Sequence, residues 1–167
     1  TYDSAEVFSV NARRISTPWA TAGNIAIGSG TLASEQIGTS NTAIGHTALY
    51  TQAGGGGNTA VGYKTGYSIT TGAGNTIIGS EAGDALTTAQ GNVIIGKDAG
   101  STSTGISNAV IIGSGSGNAL MTTAANGTVA IGYNACAAIT RGAKNMAIGY
   151  QALADNEDGD YNTAVGY

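Results

Sequence analysis

Asn41-Thr42-Ala43-Ile44-Gly45 returns as Asn58-Thr59-Ala60-Val61-Gly62, Asn75-Thr76-Ile77-Ile78-Gly79 and Asn92-Val93-Ile94-Ile95-Gly96. It returns again as Asn145-Met146-Ala147-Ile148-Gly149 and Asn162-Thr163-Ala164-Val165-Gly166. Anchored on the closing glycine, the series is Gly28, Gly45, Gly62, Gly79, Gly96, Gly113, Gly132, Gly149 and Gly166. Every interval is 17 residues except one of 19, between Gly113 and Gly132. Self-similarity at a short fixed period marks a repeat architecture and outranks local propensity. The two extra residues fall near Asn126-Gly127, a pair suited to a turn.

Each unit has its own grammar. The residue before the anchor is β-branched in all nine units: Ile27, Ile44, Val61, Ile78, Ile95, Ile112, Ile131, Ile148 and Val165. One residue earlier stands Ala or Ile: Ala26, Ala43, Ala60, Ile77, Ile94, Ile111, Ala130, Ala147 and Ala164. Such triplets ended by glycine predict a short strand. A helix would have to carry several glycines per unit at about 1 kcal/mol each. A second apolar patch follows the anchor, as in Ala48-Leu49, Ala82-Gly83, Ala99-Gly100, Ala135-Cys136 and Ala152-Leu153. Turn-like stretches such as Thr70-Thr71-Gly72 and Ser103-Thr104-Gly105 come next. Each lap is therefore expected to hold two short strands and two turns.

Laps this short stack as the parallel coils of a β-solenoid, about 4.8 Å apart. The expected fold is all-β: a parallel β-roll of about nine 17-residue coils, forming a rod of roughly 38 Å by that spacing. The Ile/Val position becomes a continuous structural ladder, and the recurring Asn a ladder of side-chain amides. Successive strand residues point to opposite faces. Whichever of the Ile/Val and Ala/Ile rows faces inward, the other leaves an apolar stripe in water. A thin interior and an uncovered stripe together predict several chains around a common axis, most simply a homotrimer. Alanines on the shared side would let the chains approach closely.

The 167 residues include 28 glycines, one proline, one cysteine and one histidine. Glycine at roughly 17% is more than twice its usual share. Apolar content of 41% rests largely on alanine, with one Phe and one Trp, so a conventional globular core is not expected. Residues 1–22 stand apart as a lead-in or cap: they hold Phe8, Pro18 and Trp19, and Val7-Phe8-Ser9-Val10 reads as a strand. Residues 23–167 form the repeat region and read as a fragment of a longer fibre. Six basic against ten acidic residues, net −4, leave no basic footprint for nucleic acid. One thiol, Cys136, excludes an internal disulfide framework or a CxxC motif. No apolar run approaches the ~20 residues of a membrane helix, so no membrane insertion is expected in this segment.

The Asn-Thr-Ala-Ile-Gly phrase, followed by Ala-Leu or Ala-Gly and then Thr-Thr-Gly, resembles the repeats of trimeric phage tail fibres and related surface proteins. It is also similar, on a longer lap, to the head repeats of YadA-like trimeric autotransporter adhesins. The resemblance spans about residues 23–167. It implies a trimer of left-handed parallel β-rolls with a role in attachment to a host surface, through a glycan or protein receptor. The implied location is a virion tail, or alternatively the bacterial cell surface. Ala109 and Thr128 depart from the pattern by replacing Asn, and Ser114-Gly115-Ser116-Gly117 loosens one coil.

Candidate sites are few. Tyr63, Tyr133, Tyr150 and Tyr167 share the position after the anchor, and such a row suits sugar rings or a stabilising aromatic ladder. Asp155-Asn156-Glu157-Asp158-Gly159-Asp160 places four acids in six residues, making Asp155, Glu157, Asp158 and Asp160 the candidate Ca²⁺ ligands. A solvated turn accounts for the same cluster, and no other cofactor is expected. His46 and Cys136 read as variants of repeat positions, and Glu81, Asp84 and Asp98 as isolated surface acids, so no catalytic residue is assigned and no enzyme is expected. Gly54-Gly55-Gly56-Gly57 and Gly113-Ser114-Gly115-Ser116-Gly117 have no following helix with which to cradle phosphate. Asn126-Gly127-Thr128 matches a glycosylation sequon. An ice-binding solenoid is the reading from another class. Its rank Thr42, Thr59 and Thr76 gives way to Val93, Val110 and Val129, with no second Thr rank beside it.

Overall fold

The computed structural model describes residues 8–10, 13–16, 23–34 and 38–167, with side chains from residue 23 onward. Eleven strands join one sheet in chain order. Strands β1 (Phe8–Val10) and β2 (Arg13–Ser16) are antiparallel. Nine three-residue strands follow, all parallel: β3 (Ile25–Ile27), β4 (Thr42–Ile44), β5 (Thr59–Val61), β6 (Thr76–Ile78), β7 (Val93–Ile95), β8 (Val110–Ile112), β9 (Val129–Ile131), β10 (Met146–Ile148) and β11 (Thr163–Val165). Register repeats without slippage, with Ala43 opposite Ala60, Ile77 opposite Ile94 and Ile111 opposite Ala130. The fold is thus an all-β parallel solenoid with one lap per 17 residues. The longer 19-residue lap keeps register because its excess is spent in a 3-10 turn, Thr123–Ala125, on the far side from the sheet.

At the first coil, β2 occupies the free edge of β3 in antiparallel sense, Ile15 opposite Ile27 and Ser16 opposite Ala26. An otherwise open row of backbone donors and acceptors is thereby paired. Of the expected strand at 7–10, Phe8–Val10 is present, whereas Val7, Pro18 and Trp19 lie outside the described residues.

The expected second strand per lap is absent among the described residues, apart from one bridge, Ala73 to Gln90. Backbone angles give the reason. Two residues after the anchor the chain is left-handed, as at Lys64 (φ +52°), Glu81 (+58°) and Asp98 (+56°). Two further on it is left-handed again, at Leu49 (+49°), Cys136 (+53°) and Leu153 (+52°), or at a glycine such as Gly83 (+54°). Extended backbone cannot accommodate such alternation. The second apolar patch is therefore a pair of tight corners that turn Ala48 and Leu49, both fully buried, into the coil.

Which strand row faces inward is decided by burial. Ala26, Ala43, Ala60, Ile77, Ile94, Ile111, Ala130 and Ala147 are the buried middle residues of their strands. The Ile/Val ladder, Ile27 to Val165, lies on the outer face. Which row faces inward, open from the sequence, is thus settled: the Ala/Ile row lies in the coil's own interior and not on a side alanines could offer to other chains. That interior is too narrow for a bulkier row throughout. Its volume is balanced along the rod, the lap of Ala60 and Gly66 being filled from its neighbours by Leu49 and Ile77. Where the strand carries Ala43 or Ala130, the corner carries Leu49 or Cys136; where the strand carries Ile77, Ile94 or Ile111, the corner is Gly83, Gly100 or Gly117. A Cβ on Gly100 would already touch Ile111 Cδ1 at 3.5 Å and Ile94 Cδ1 at 3.6 Å. Close packing forbids filling both places in one lap.

Inside each corner preceding the strand runs the amide ladder. Asn41, Asn58, Asn75 and Asn92 each donate their backbone N–H to the Oδ1 of the Asn one lap earlier, at 2.8–3.1 Å. Each Nδ2 also reaches across to a carbonyl 14 residues ahead, as from Asn58 to Gly72 (2.9 Å) and from Asn75 to Ala89 (2.8 Å). The side chain is a strut tying the two ends of a lap together. No buried side-chain nitrogen or oxygen among the described residues lacks a partner, as polar groups in so thin an interior require.

Candidate functional site

The most distinctive surface is the outer face of the sheet. Two rows cover it. One is the Ile/Val ladder; the other is Ile25, Thr42, Thr59, Thr76, Val93, Val110, Val129, Met146 and Thr163. All eighteen positions are apolar or threonine, and none of the sixteen Asp, Glu, Lys and Arg side chains falls among them. Most are half-buried by their neighbours alone, while Ile25 (45%), Ile78 (38%), Met146 (40%), Thr163 and Val165 (72%) are exposed. Nine laps at about 4.8 Å by three residues at about 3.3 Å make a flat strip of roughly 400 Å², the size at which an exposed apolar patch signals an interaction site.

Tyrosines form stacks along the rod. Tyr133 and Tyr150 lie 5.3 Å apart between ring centroids at 20°, and Tyr150 and Tyr167 5.3 Å apart at 7°. Tyr63 is not part of this series: it stacks on His46 at 5.7 Å, with Lys64 Nζ 5.5 Å from its ring centroid. A further pair, Tyr50 and Tyr67, stacks at 5.0 Å and 1°. Its signal was the same 17-residue spacing, four positions further along the lap. In every pair the ring faces are turned along the rod toward each other, so ring edges and hydroxyls are what the flank presents.

The acidic turn does not converge. Asp158 lies 3.3 Å from Arg141 Nε and accepts from Thr140 Oγ1 at 3.2 Å, while Asp160 accepts the Ala143 N–H at 2.7 Å. Asp155 and Glu157 are exposed. Among the described residues no three acidic, histidine or cysteine side chains are grouped to hold a metal ion. Carboxylates gathered there would have to come from more than one copy of the chain.

His46 is exposed in the β4 lap and Cys136 is buried five laps away in the β9 lap, about 24 Å at the lap spacing. Burial alone pushes the Cys136 thiol up to about 12, which removes its nucleophilic form at neutral pH. Lys97 pairs with Asp98 at 3.0 Å, an exposed contact that raises the lysine's pKa through that hydrogen bond. The sequon asparagine, Asn126, accepts the Ser107 N–H at 2.7 Å, and Thr128 is buried with its hydroxyl on the Ala125 carbonyl at 2.8 Å. The sequon hydroxyl is thus held inside the coil, whereas Asn126 is only half-buried.

The Asp84 carboxyl titrates above its ordinary range. Partial burial, then the neighbouring Glu81, raise its pKa, with Lys64 opposing. A carboxyl held above its ordinary value binds its proton more tightly folded than unfolded. Its charge therefore lowers stability as pH rises from about 4 through the folded value. Asp84→Asn is expected to raise the melting temperature modestly at pH 7, with the difference vanishing below about pH 4. Thermal denaturation of both proteins across pH 3–8 checks this; a larger gain at acid pH would contradict it.

No protein-family model, curated protein sequence or solved structure matches this chain. Its architecture accordingly rests on its own repeat, register and burial.

Proposed function

We propose that the chain is a non-enzymatic segment of a homotrimeric attachment fibre, most simply a phage tail fibre, in which three rods pack through the outer faces of their sheets. The observation that carries this reading is the uncharged outer face: nine laps of half-buried Ile, Val and Thr on a chain whose interior is already closed. Burial of that face follows from the hydrophobic effect at about 25 cal/mol per Å². A strip of roughly 400 Å² per copy falls short of the ~800 Å² per partner of a stable interface. The packing therefore has to include the flanks, where the tyrosine stacks lie. The fibre's task on this reading is mechanical: hydrogen-bonded laps resist shear and proteolysis, and exposed ring edges or the acidic turn at 155–160 are what a host glycan or protein receptor meets. The head of a bacterial trimeric adhesin would use the same surface in the same way, and differs in what the fibre is anchored to.

Light scattering decides the assembly. The expected mass is three times the 16.3 kDa of the chain. Ile78→Lys with Ile112→Lys, both on the outer row, is expected to give a folded monomer with unchanged far-ultraviolet circular dichroism. A wild-type monomer that shapes ice crystals would instead favour the Thr42, Thr59 and Thr76 rank as an ice-binding surface.

A further inference from the structure

One lap departs from the others both in its asparagine rungs and in its length. The β8 lap, residues 109–127, begins at Ala109, where the repeat otherwise has Asn, and the next lap begins at Thr128, a second replacement. Asn92 Oδ1 still accepts the Ala109 N–H at 3.0 Å, but Ala109 carries no amide to pass on. Thr128 turns its hydroxyl back on Ala125, three residues away in sequence, at 2.8 Å. The strut that closes a lap, seen from Asn92 to Ile106 (2.9 Å) and from Asn145 to Gly159 (2.6 Å), has no counterpart at Ala109 or Thr128.

The same lap contains the two-residue excess and the 3-10 turn, with Leu120 (53%), Thr123 and Ala124 standing out into solvent. Its corner hydroxyl, Ser116, is buried on the Ala130 and Ala135 carbonyls, much as Thr65 is on the Gly79 carbonyl, so the corner itself is conventional. In the lap before it, buried Ser103 takes the place that Ile69, Leu86 and Ile139 fill elsewhere. Across the junction the backbone bonds between successive laps persist, as from Gly100 to Ser116 and from Gly117 to Ala135 at 2.9 and 2.8 Å, together with side-chain ties such as Ser107 to Asn126 at 2.7 Å; what is missing is the amide ladder.

From these features we infer that the rod is not uniformly cooperative: the β8 lap is a seam joining two separately stable blocks, β3–β7 with five linked asparagines and β9–β11 with a second, shorter ladder. Local opening is governed by buried contacts and by satisfied hydrogen bonds, and the side-chain bonds of the amide ladder are absent here while the laps on each side keep them. Under load or protease the solenoid opens at residues 103–128 first, and the blocks on either side stay wound. The seam lies inside the chain's own interior, so it operates in a single rod and in an assembled fibre alike.

Hydrogen exchange of the whole chain, read by mass spectrometry, tests this. Amides in peptides covering 103–128 are expected to exchange at least about tenfold faster than those covering 58–96. Ala109→Asn with Thr128→Asn, which restores both rungs, is expected to remove most of that difference. A limited digest with thermolysin supplies a readout that needs no variant: the first cut inside the solenoid is expected between Ala119 and Ala125. Exchange at 103–128 as slow as at 58–96, or a first internal cut within 58–96, would overturn the seam. A folded double variant with unchanged exchange would overturn its attribution to the missing asparagines.

Discussion

Gly96→Ala is expected to abolish folding or to cost at least about 3 kcal/mol, an effect far outside the usual range for a single methyl group. Two independent penalties meet at this position. The backbone φ is +136°, a region that L side chains rarely adopt. An alanine Cβ would also lie 2.6 Å from both the carbonyl carbon and oxygen of Gly113 and 3.0 Å from Ser114 N. Those atoms are backbone of the next lap, so relief requires opening the lap spacing itself. Gly54→Ala is the control. Its φ is not left-handed and an added Cβ meets nothing within 4 Å, so the change should stay within about 0.5 kcal/mol of wild type. Urea denaturation of the pair, followed by circular dichroism, measures the contrast. Equal stability of the two variants would refute the stacking of anchors one above another.

Asn75→Ala carries the second large effect, about 3–5 kcal/mol, because one side chain serves four bonds in a dry interior. Asn75 Oδ1 accepts from the backbone N–H of Asn92 at 3.1 Å and from Asn92 Nδ2 at 2.9 Å. Asn75 Nδ2 donates to Asn58 Oδ1 at 3.0 Å and to the Ala89 carbonyl at 2.8 Å. Truncation leaves partners on both neighbouring laps unsatisfied where water does not reach, and an unmade buried bond costs more than a made one contributes. The same substitution at Asn162, where the laps are more exposed, should cost clearly less. Chemical denaturation of both variants separates them. A loss at Asn75 no greater than at Asn162 would mean that the ladder does not bear on stability.

These two positions also show what kind of information the linear chain carries. A glycine and an asparagine recurring every seventeen residues are legible because a stacked lap imposes one environment on all its equivalents. Period, parallel register, strand position and the amide ladder all follow from that. The expected second strand failed for a local reason: Ala-Leu and Ala-Gly look like strand ends, but they mark left-handed corners, and leucine gives no warning that it will adopt φ near +50°. The size exchange between strand and corner, Ala43 with Leu49 against Ile94 with Gly100, was written in the chain. It becomes meaningful only once both positions are known to share one interior.

The candidate sites divide in the same way. The tyrosine row could be read from its spacing, yet whether rings meet by face or by edge is a matter of side-chain geometry, as is the pairing of Tyr63 with His46 and not with the later tyrosines. The acidic turn looked like a cation loop because composition does not reveal that Asp158 and Asp160 are engaged by Arg141, Thr140 and the Ala143 N–H.

By itself, the order of amino acids determined that this protein is a parallel solenoid with a seventeen-residue lap, since only a structure that returns to the same place can demand the same residue so many times. Which of two adjacent apolar rows is inside was undetermined, because alternation along a strand is symmetric under exchange of its faces. Tertiary structure broke that symmetry through volume: the narrow interior admits alanine at most laps and isoleucine only where a glycine corner makes room, and the uniformly β-branched row was left to face outward.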